Sequence, residues 1–198
     1  GFVSNGRIHR GAQGSAGDIG HVQVASEERQ ICRCGKIDCL ESHAGGAALA
    51  REGTRLAENG ESERLATVLR ERGSITAREV IRAARVGDPA SARLLDQSAR
   101  LVGQTLASLA NFFNPSLIVV GGGVARAGDA YLATIRQVIY ARSTALATRE
   151  LLVQLSRLGN RAGVIGGASM VLDELFSAHQ LAAWIDEGRP AALLETAA

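Results

Sequence analysis

The sequence has few of the residues that define several common protein classes. Of its 198 residues only three are cysteine, three are proline and 4% are aromatic. An odd number of cysteines does not fit a disulfide framework and is more typical of metal binding in a reducing compartment. No apolar run reaches the roughly 18 residues that a transmembrane helix needs, and no signal-peptide pattern opens the chain. We therefore predict a cytoplasmic protein without a membrane segment.

The charge balance gives no indication for or against nucleic-acid binding. The formal net charge is +2, and the arginines are spread among acidic residues along predicted helices, so we interpret them as solvated helix faces. The length and the hydrophobic share of 46% suffice for one well-buried domain. Because the chain opens at Gly1, in what reads as the middle of a strand, we expect it to be a fragment of a longer protein.

The hydrophobic pattern predicts an α/β fold, in which strands alternate with helices. Asn5-Gly6 between two short apolar runs indicates a hairpin. Thr76 with Glu79 forms a capping box, and Asp88-Pro89 opens a long helix that ends before Pro115. We predict strands at residues 21–24, 116–120 and 151–155, helices at 39–56, 76–85, 89–114, 129–142 and 163–176, and a weaker helix from 179 onward.

The three cysteines lie close together near the start of the chain, downstream of a histidine. His21, Cys32, Cys34 and Cys39 offer one imidazole and three thiolates, a complete tetrahedral ligand set for zinc. Four protein ligands leave no open position for water, so we predict a structural zinc ion and not a catalytic one. The alternative is three incidental buried cysteines. A DNA-reading zinc finger would need a second ligand pair about a dozen residues on, and His43 lies too near to supply it.

Two motifs together resemble the signature of a known family. Residues 17–21 (GDIGH) and residues 32–41 (CRCGKIDCLE) resemble the signature of the ROK family, which contains repressors, open reading frames and sugar kinases. Residues 1–20, 114–123 and 164–168 resemble further segments of that family. The resemblance thus extends over most of the chain.

The resemblance implies the C-terminal half of an actin-like (ribonuclease H-like), hexokinase-type ATPase fold with a structural zinc loop. The whole of residues 1–198 would be one C-terminal α/β domain, and the N-terminal domain would be absent. Within it we expect a zinc-binding loop at residues 21–41, a sugar-site segment at 14–46 and a glycine-rich strand, turn and helix at 116–140.

The resemblance also implies three sugar-binding residues, which here are Asp18, His21 and Glu41. Carboxylates accept strong hydrogen bonds from hydroxyl groups, so the residue types suit a sugar. Without the family, acids beside glycine turns are more often caps. The sequence departs from the family pattern twice: Asp18 replaces the usual glutamate, and Asp38 replaces the glycine that usually precedes the last cysteine. The first departure weakens or re-aims a hydroxyl contact, or it reflects a different sugar.

A glycine run follows the predicted strand at residues 116–120. In kinase members of the family the corresponding segment lies against the nucleotide; here it contains Gly121, Gly122 and Gly123. A tight turn after the strand explains these glycines equally well. No P-loop motif is present. The D-x-G-x-T turn and the catalytic aspartate of the kinase members are also missing from these 198 residues. We therefore expect this chain alone not to phosphorylate a sugar, and ATP with Mg²⁺ to matter only if the full-length protein is a kinase.

Three functions remain open at this point. The favoured one is the sugar-sensing half of a ROK transcriptional regulator, with DNA bound only by an N-terminal domain. The alternative is the C-terminal half of an ATP-dependent kinase for glucose or an N-acetylhexosamine. The third is a zinc-stabilised dimerisation domain without a ligand. By family analogy we expect a homodimer or homotetramer with a small-molecule sugar as its partner.

Overall fold

Helices dominate the two structural units into which the chain divides. The computed structural model describes residues 1–26 and 28–188. The first unit spans Gly1–Ser156, and the second begins at Arg157. None of the helices in the described ranges is both long and apolar enough to cross a bilayer.

The described residues form a mixed α/β, helix-rich arrangement. Single 3₁₀ turns occur at Ile19–His21, Val124–Ala127 and Gly159–Arg161. The remaining elements in chain order are β1 (Phe2–Ser4), β2 (Arg7–His9), α1 (Leu40–Ala44), α2 (Gly46–Glu58), α3 (Glu63–Arg72), α4 (Ala77–Arg85), α5 (Pro89–Phe113), β3 (Leu117–Val120), α6 (Asp129–Arg142), α7 (Ala145–Thr148), β4 (Leu152–Leu155), α8 (Ala162–Leu175) and α9 (Ala178–Glu187).

Two small sheets confirm two predictions. Strands β1 and β2 pair antiparallel, and Asn5 and Gly6 between them both take positive φ (52° and 73°), as a tight hairpin turn requires. Strands β3 and β4 pair in parallel, with Leu117 opposite Leu152. The strands predicted at residues 116–120 and 151–155 are therefore neighbours in one sheet.

The core of the first unit lies between helices α2 to α6 and the β3–β4 sheet. Leu49, Leu65, Ile135 and Ile139 are completely buried there. Helix α5 packs closely against α6 because Gly103 has no side chain: a Cβ at that position would lie 2.8 Å from Val138 Cβ. A contact under 3.0 Å is too short for carbon atoms, so this helix pair depends on glycine.

The caps of two helices form as predicted. The Thr76 side chain accepts a hydrogen bond from a backbone N–H of α4, and Glu79 accepts one from the Thr76 backbone N–H. Asp88 accepts bonds from the Ser91 N–H (2.8 Å) and the Ser62 hydroxyl (3.0 Å). Helix α5 ends at Phe113, and its C-cap residue Asn114 takes a left-handed conformation ahead of Pro115. Local capping chemistry thus determined these helix ends.

Three helix and strand predictions were wrong or incomplete. Residues 21–24 do not form a strand; Gln23 makes one isolated bridge to Cys39, because the chain must bend to bring His21 to the cysteines. The helix predicted at residues 39–56 is interrupted at Gly45, whose extended backbone separates α1 from α2. Helix α3 was not predicted, although Ser62 is a typical N-cap residue. Its side chain accepts a hydrogen bond from the Leu65 N–H.

The arginines of α3 and α4 were interpreted correctly as solvated faces. Several pair with acidic side chains on the same surface, such as Arg70 with Glu63 at 2.9 Å and Arg72 with Glu79 at 3.5 Å. The exposed residues of this set are Arg64, Arg70, Arg72, Arg78, Arg82 and Arg85.

In the second unit, α8 and α9 fulfil the predictions for residues 163–176 and for the weaker helix after 179. Helix α9 ends at Glu187, and its C-cap residue Gly188 has a left-handed backbone. The rest of the predicted tail lies outside the described residues.

Candidate functional site

The described residues between His21 and Cys39 (22–26 and 28–38) contain no helix or named strand and are folded by backbone hydrogen bonds. Val24 N–H donates to the Asp38 carbonyl, and Asp38 N–H donates to the Gln30 carbonyl, each at 2.8 Å. The loop reverses again at Gly35, which has φ of 81° and donates its N–H to the Cys32 carbonyl at 2.9 Å. These bonds bring residues that are far apart in sequence into one cluster.

The cluster consists of the four predicted metal ligands. One ligand atom from each of His21, Cys32, Cys34 and Cys39 lies within 4.8 Å of all the others. His21 Nδ1 is 3.6 Å from Cys32 Sγ, and Cys34 Sγ is 3.6 Å from Cys39 Sγ. Tetrahedral zinc, with bonds of about 2.3 Å to sulfur and about 2.0 Å to nitrogen, keeps its ligand atoms roughly 3.5 to 3.8 Å apart. These two pairs have the spacing of zinc ligands, so the four residues could hold a zinc ion.

Two cysteines of the cluster, Cys34 and Cys39, have opposite pKa shifts. The hydrogen bond from the Lys36 backbone lowers the pKa of the Cys34 thiol. Burial, followed by the neighbouring thiols of Cys34 and Cys32, raises the pKa of Cys39 to about 12. A metal ligand must be a thiolate, so a cation bound at Cys39 would replace the thiol proton. The donor set as a whole thus suits a thiophilic divalent cation.

The three predicted sugar-binding side chains meet around one glycine. A Cβ at Gly20 would lie 3.4 Å from Asp18 Oδ1 and 3.5 Å from Glu41 Oε2. Asp18 Oδ2 is 3.8 Å from His21 Nε2, while the other ring nitrogen of His21 faces the cysteines. Asp18, His21 and Glu41 are all exposed. Two carboxylates and one imidazole edge therefore lie open to solvent beside the cluster.

An open depression of about 650 Å³ also adjoins the cluster, but it is not where the carboxylates meet. Neither Asp18 nor Glu41 lines it. Its lining residues are His21, Gln23, Cys34, Gly35, Lys36, Ile37 and Cys39.

The glycine run after β3 forms a turn. Gly122 has φ of 88°, and the chain then enters the 3₁₀ turn at Val124–Ala127. A Cβ at Gly121 would contact Ser156 Cβ at 3.4 Å, just beyond the end of β4. The structure places Gly121, Gly122 and Gly123 at the carboxyl end of a parallel strand, the edge at which open α/β sheets bind ligands.

Sequence reasoning overlooked one polar pair behind the cluster. Asp38 Oδ1 accepts hydrogen bonds from the Gln30 N–H (2.8 Å) and from His43 Nε2 (3.0 Å). The bond from Gln30 and then that from His43 lower the pKa of the Asp38 carboxyl. The side chains of Asp38 and His43 are only 11% and 9% exposed. The one sequence signal was aspartate at a position where the family usually has glycine.

Comparison with known proteins places these motifs in a family. The model of the ROK family matches residues 1–174. A glucokinase of Halalkalibacterium halodurans is 39% identical over 86% of this chain and 52% of its own length. The transcriptional dual regulator NagC of Escherichia coli is 31% identical over 83% of this chain and 39% of its own length. The chain therefore spans about half the length of the curated relatives that it matches, or less.

Solved structures give the same result. A ROK family transcriptional regulator, a homologue of the Escherichia coli MLC protein, superposes with a TM-score of 0.69 at 30% identity, over 81% of this chain and 39% of that one. A ROK family glucokinase from Streptomyces griseus, in complex with glucose and AMPPNP, superposes with a TM-score of 0.68 at 32% identity, over 83% of this chain and 54% of that one. These neighbours have the actin-like sugar kinase fold. This chain belongs to the ROK family.

Proposed function

We propose that the chain is the sugar-sensing, effector-binding half of a ROK transcriptional regulator, stabilised by one structural zinc ion. The observation that carries the proposal is the meeting of Asp18, His21 and Glu41 around Gly20, beside the four clustered ligands. NagC and a xylose repressor of Caldicellulosiruptor bescii, 30% identical over 89% of this chain, are regulators whose likeness supports it. Carbohydrate is the ligand class that these side chains suit.

The chemistry of the three side chains supports a sugar ligand. A sugar presents adjacent hydroxyl groups, each of which donates a hydrogen bond that a carboxylate accepts strongly. Asp18 and Glu41 would accept from such hydroxyls, and His21 Nε2 would contact a further one while Nδ1 binds the metal. The open, polar surface around Gly20 allows a hydrophilic ligand to enter without crossing an apolar barrier.

The zinc ion would hold this site in place. Four protein ligands fill its coordination sphere, so the ion does no chemistry on the sugar. His21 belongs both to the metal cluster and to the sugar-binding set, and Glu41 follows the ligand Cys39 by two residues. Metal binding would therefore fix two of the three sugar-binding side chains.

Two sequence features favour a regulator over a kinase. Aspartate stands at position 18 where the family usually has glutamate, and residues 39–46 read CLESHAGG, which resembles the regulator members. In such a regulator, sugar binding shifts the equilibrium between DNA-bound and released states. DNA would be contacted by an N-terminal domain outside these residues. Assembly as a homodimer or homotetramer and a cytoplasmic location remain predictions.

A sugar kinase is the second candidate, and a specific observation favours it. The glucokinase of Halalkalibacterium halodurans is 39% identical, more than either regulator named above. In that case Gly121, Gly122 and Gly123 would lie against ATP, and Mg²⁺ would be required. A coupled assay on the full-length protein with ATP and a sugar panel separates the two candidates. Turnover of any sugar would contradict a purely regulatory role.

Isothermal titration calorimetry with glucose, N-acetylglucosamine and xylose tests the sugar site itself. We expect at least one sugar to bind the zinc-loaded protein and the Glu41→Ala variant to lose that binding, because it removes one acceptor of hydroxyl hydrogen bonds. A zinc-stabilised dimerisation domain without a ligand would bind none of the three. Elemental analysis of the purified protein checks the metal, and we expect about one zinc ion per chain.

A further inference from the structure

Helix α1 carries Glu41 but is too short to determine its own orientation. It has five residues, Leu40–Ala44, whereas isolated helices shorter than about 12 residues are marginal in water. The orientation of α1, and with it the direction of the Glu41 carboxylate, must come from contacts with the rest of the protein.

The C-terminal end of α1 is held by the helical core. The Ala44 carbonyl accepts a hydrogen bond from the Ser98 hydroxyl of α5 at 3.1 Å, and Ser98 in turn lies 2.9 Å from the Tyr131 hydroxyl of α6. All three residues are buried. This contact anchors the end of α1, while the bond from the Leu40 N–H to the Val22 carbonyl at 2.8 Å holds its start.

A side-chain contact between α1 and the metal loop is made by His43. Its Nε2 donates to Asp38 Oδ1, and the same oxygen accepts from the Gln30 N–H. His43 and Glu41 are two residues apart, so their side chains leave the helix roughly 200° apart. His43 therefore holds α1 from the side opposite to the one from which Glu41 reaches the surface at Gly20.

Asp38 is the point at which the loop and the helix are joined. Besides the two bonds to its carboxylate, its N–H donates to Gln30 and its carbonyl accepts from Val24. It adopts φ of 60°, a conformation that glycine takes more easily than aspartate. Aspartate occupies a position whose backbone conformation favours glycine, and its carboxylate is nearly buried. This combination indicates that the carboxylate has a specific structural or functional role.

We propose that Asp38 and His43 are positioning residues for sugar binding. Their hydrogen bond sets the rotation of α1 relative to the metal loop and thereby aims the Glu41 carboxylate at the ligand beside Asp18. This inference rests on the proposed function, because it assigns a purpose to the pair only if a sugar binds at Gly20. Neither residue touches the sugar in this arrangement, and neither binds the metal.

The test compares three variants with the zinc-loaded parent protein. Asp38→Gly removes the carboxylate and relaxes the backbone, and His43→Ala removes the donor. His43→Gln keeps an N–H donor at a similar distance from the backbone. Glu63→Gln serves as the matched control, since it breaks the exposed pair with Arg70 on α3, whose side chains are 81% and 64% exposed. Each protein is titrated with the panel of three sugars, and its zinc content and melting temperature are measured.

We expect Asp38→Gly and His43→Ala each to weaken sugar binding by roughly 10-fold or more, because small misplacements of a binding group have large effects. The zinc content should stay at about one ion per chain. His43→Gln should retain most of the affinity, and Glu63→Gln all of it. A purely structural role would change the melting temperature without this pattern of sugar affinities.

Results that contradict this inference can be distinguished from results that contradict the proposed function. If the parent binds a sugar and both variants bind it within about twofold of the parent, the inference is wrong and the proposed function stands. Loss of zinc from both variants would show that the pair serves the metal, which also overturns it. A parent that binds no sugar contradicts the proposed function and the inference together. If Asp38→Gly does not fold, His43→Ala and its rescue by His43→Gln decide the question.

Discussion

The loop at residues 21–39 and the helices α2 to α6 are stabilised in different ways, although they belong to the same unit. The loop has isolated bridges in place of strands, and its ligand side chains form the cluster at its centre. The helices bury a continuous apolar core that includes Leu49, Leu65 and Ile135. In our proposal one region depends on a bound ion and backbone hydrogen bonds, whereas the other depends on burial of apolar surface.

This difference means that each region can be perturbed without the other. Zinc binding supplies folding free energy only where the ligands converge, whereas apolar burial acts through contacts across the helix faces. Helix α1 joins the two, since it follows Cys39 and is bonded to Ser98 in the core. Glu41, which we propose binds the sugar, thus lies at the boundary between the regions.

The largest expected effect is the loss of the metal. In Cys39→Ser a buried ligand is removed, and structural zinc contributes about 10–16 kcal/mol of apparent binding free energy in small domains. We expect the zinc content to fall from about one ion per chain to near zero. Amide hydrogen exchange should rise in residues 21–39, while the helical circular dichroism signal persists. Loss of the helical signal together with the zinc would show that the regions are not separable.

A core truncation should have the converse effect. Ile135 is completely buried on α6, so Ile135→Ala should lower the free energy of unfolding by about 2–5 kcal/mol. Urea denaturation measures this, and the zinc content should not change. Leu146, which is 79% exposed on α7, supplies the control, since Leu146→Ala should change stability by less than about 0.5 kcal/mol. A loss of zinc in Ile135→Ala would contradict the claim that the loop and the helical core can be perturbed independently.

A smaller, pH-dependent effect is expected at the N-cap of α5. Burial raises the pKa of Asp88, but the hydrogen bonds from Ser91 and Ser62 outweigh it, so that the pKa is lowered overall. A lowered folded-state pKa means that the stabilisation is present above the unfolded value of about 3.9 and is lost as the pH falls through the folded value.

Asp88→Ala should therefore cost about 1 kcal/mol at neutral pH. The difference between parent and variant should shrink as the pH is lowered below about 4. Urea denaturation at a series of pH values measures both effects. A difference that is constant over the whole range would show that the Asp88 charge does not contribute.

The smallest effect is expected for the surface of α3. Breaking the exposed pair of Arg70 and Glu63 by Glu63→Gln should change the free energy of unfolding by less than about 1 kcal/mol, because water screens exposed charges. Thermal melting at low and high salt checks this. A larger, salt-sensitive loss would indicate that these helices also rely on charge pairing.

The two regions differ equally in how well the sequence predicts them. The caps at Thr76 and Asp88 and the turn at Asn5-Gly6 are local, so their signals lie within a few residues. The break at Gly45 was missed because glycine is tolerated in helices and the apolar pattern continues across it. The strand predicted at residues 21–24 failed because its backbone partners are set by the loop around the cysteines.

The candidate site was predictable only in part. Ligand type and spacing suffice to group His21 with the three cysteines. Asp18 and Glu41 are separated by 23 positions in sequence, and only the family signature suggested that they act together. The pair of Asp38 and His43 could not be inferred, because it depends on the left-handed backbone at Asp38 and on the rotation of α1.

The most direct measurement is a calorimetric titration of the zinc-loaded parent and of Glu41→Ala with glucose, N-acetylglucosamine and xylose, with zinc quantified in each sample. We expect the parent to bind at least one of these sugars, Glu41→Ala to bind none, and both to carry about one zinc ion per chain. Sugar binding that survives Glu41→Ala unchanged, or a zinc-loaded parent that binds no sugar, would contradict a sugar site at Gly20.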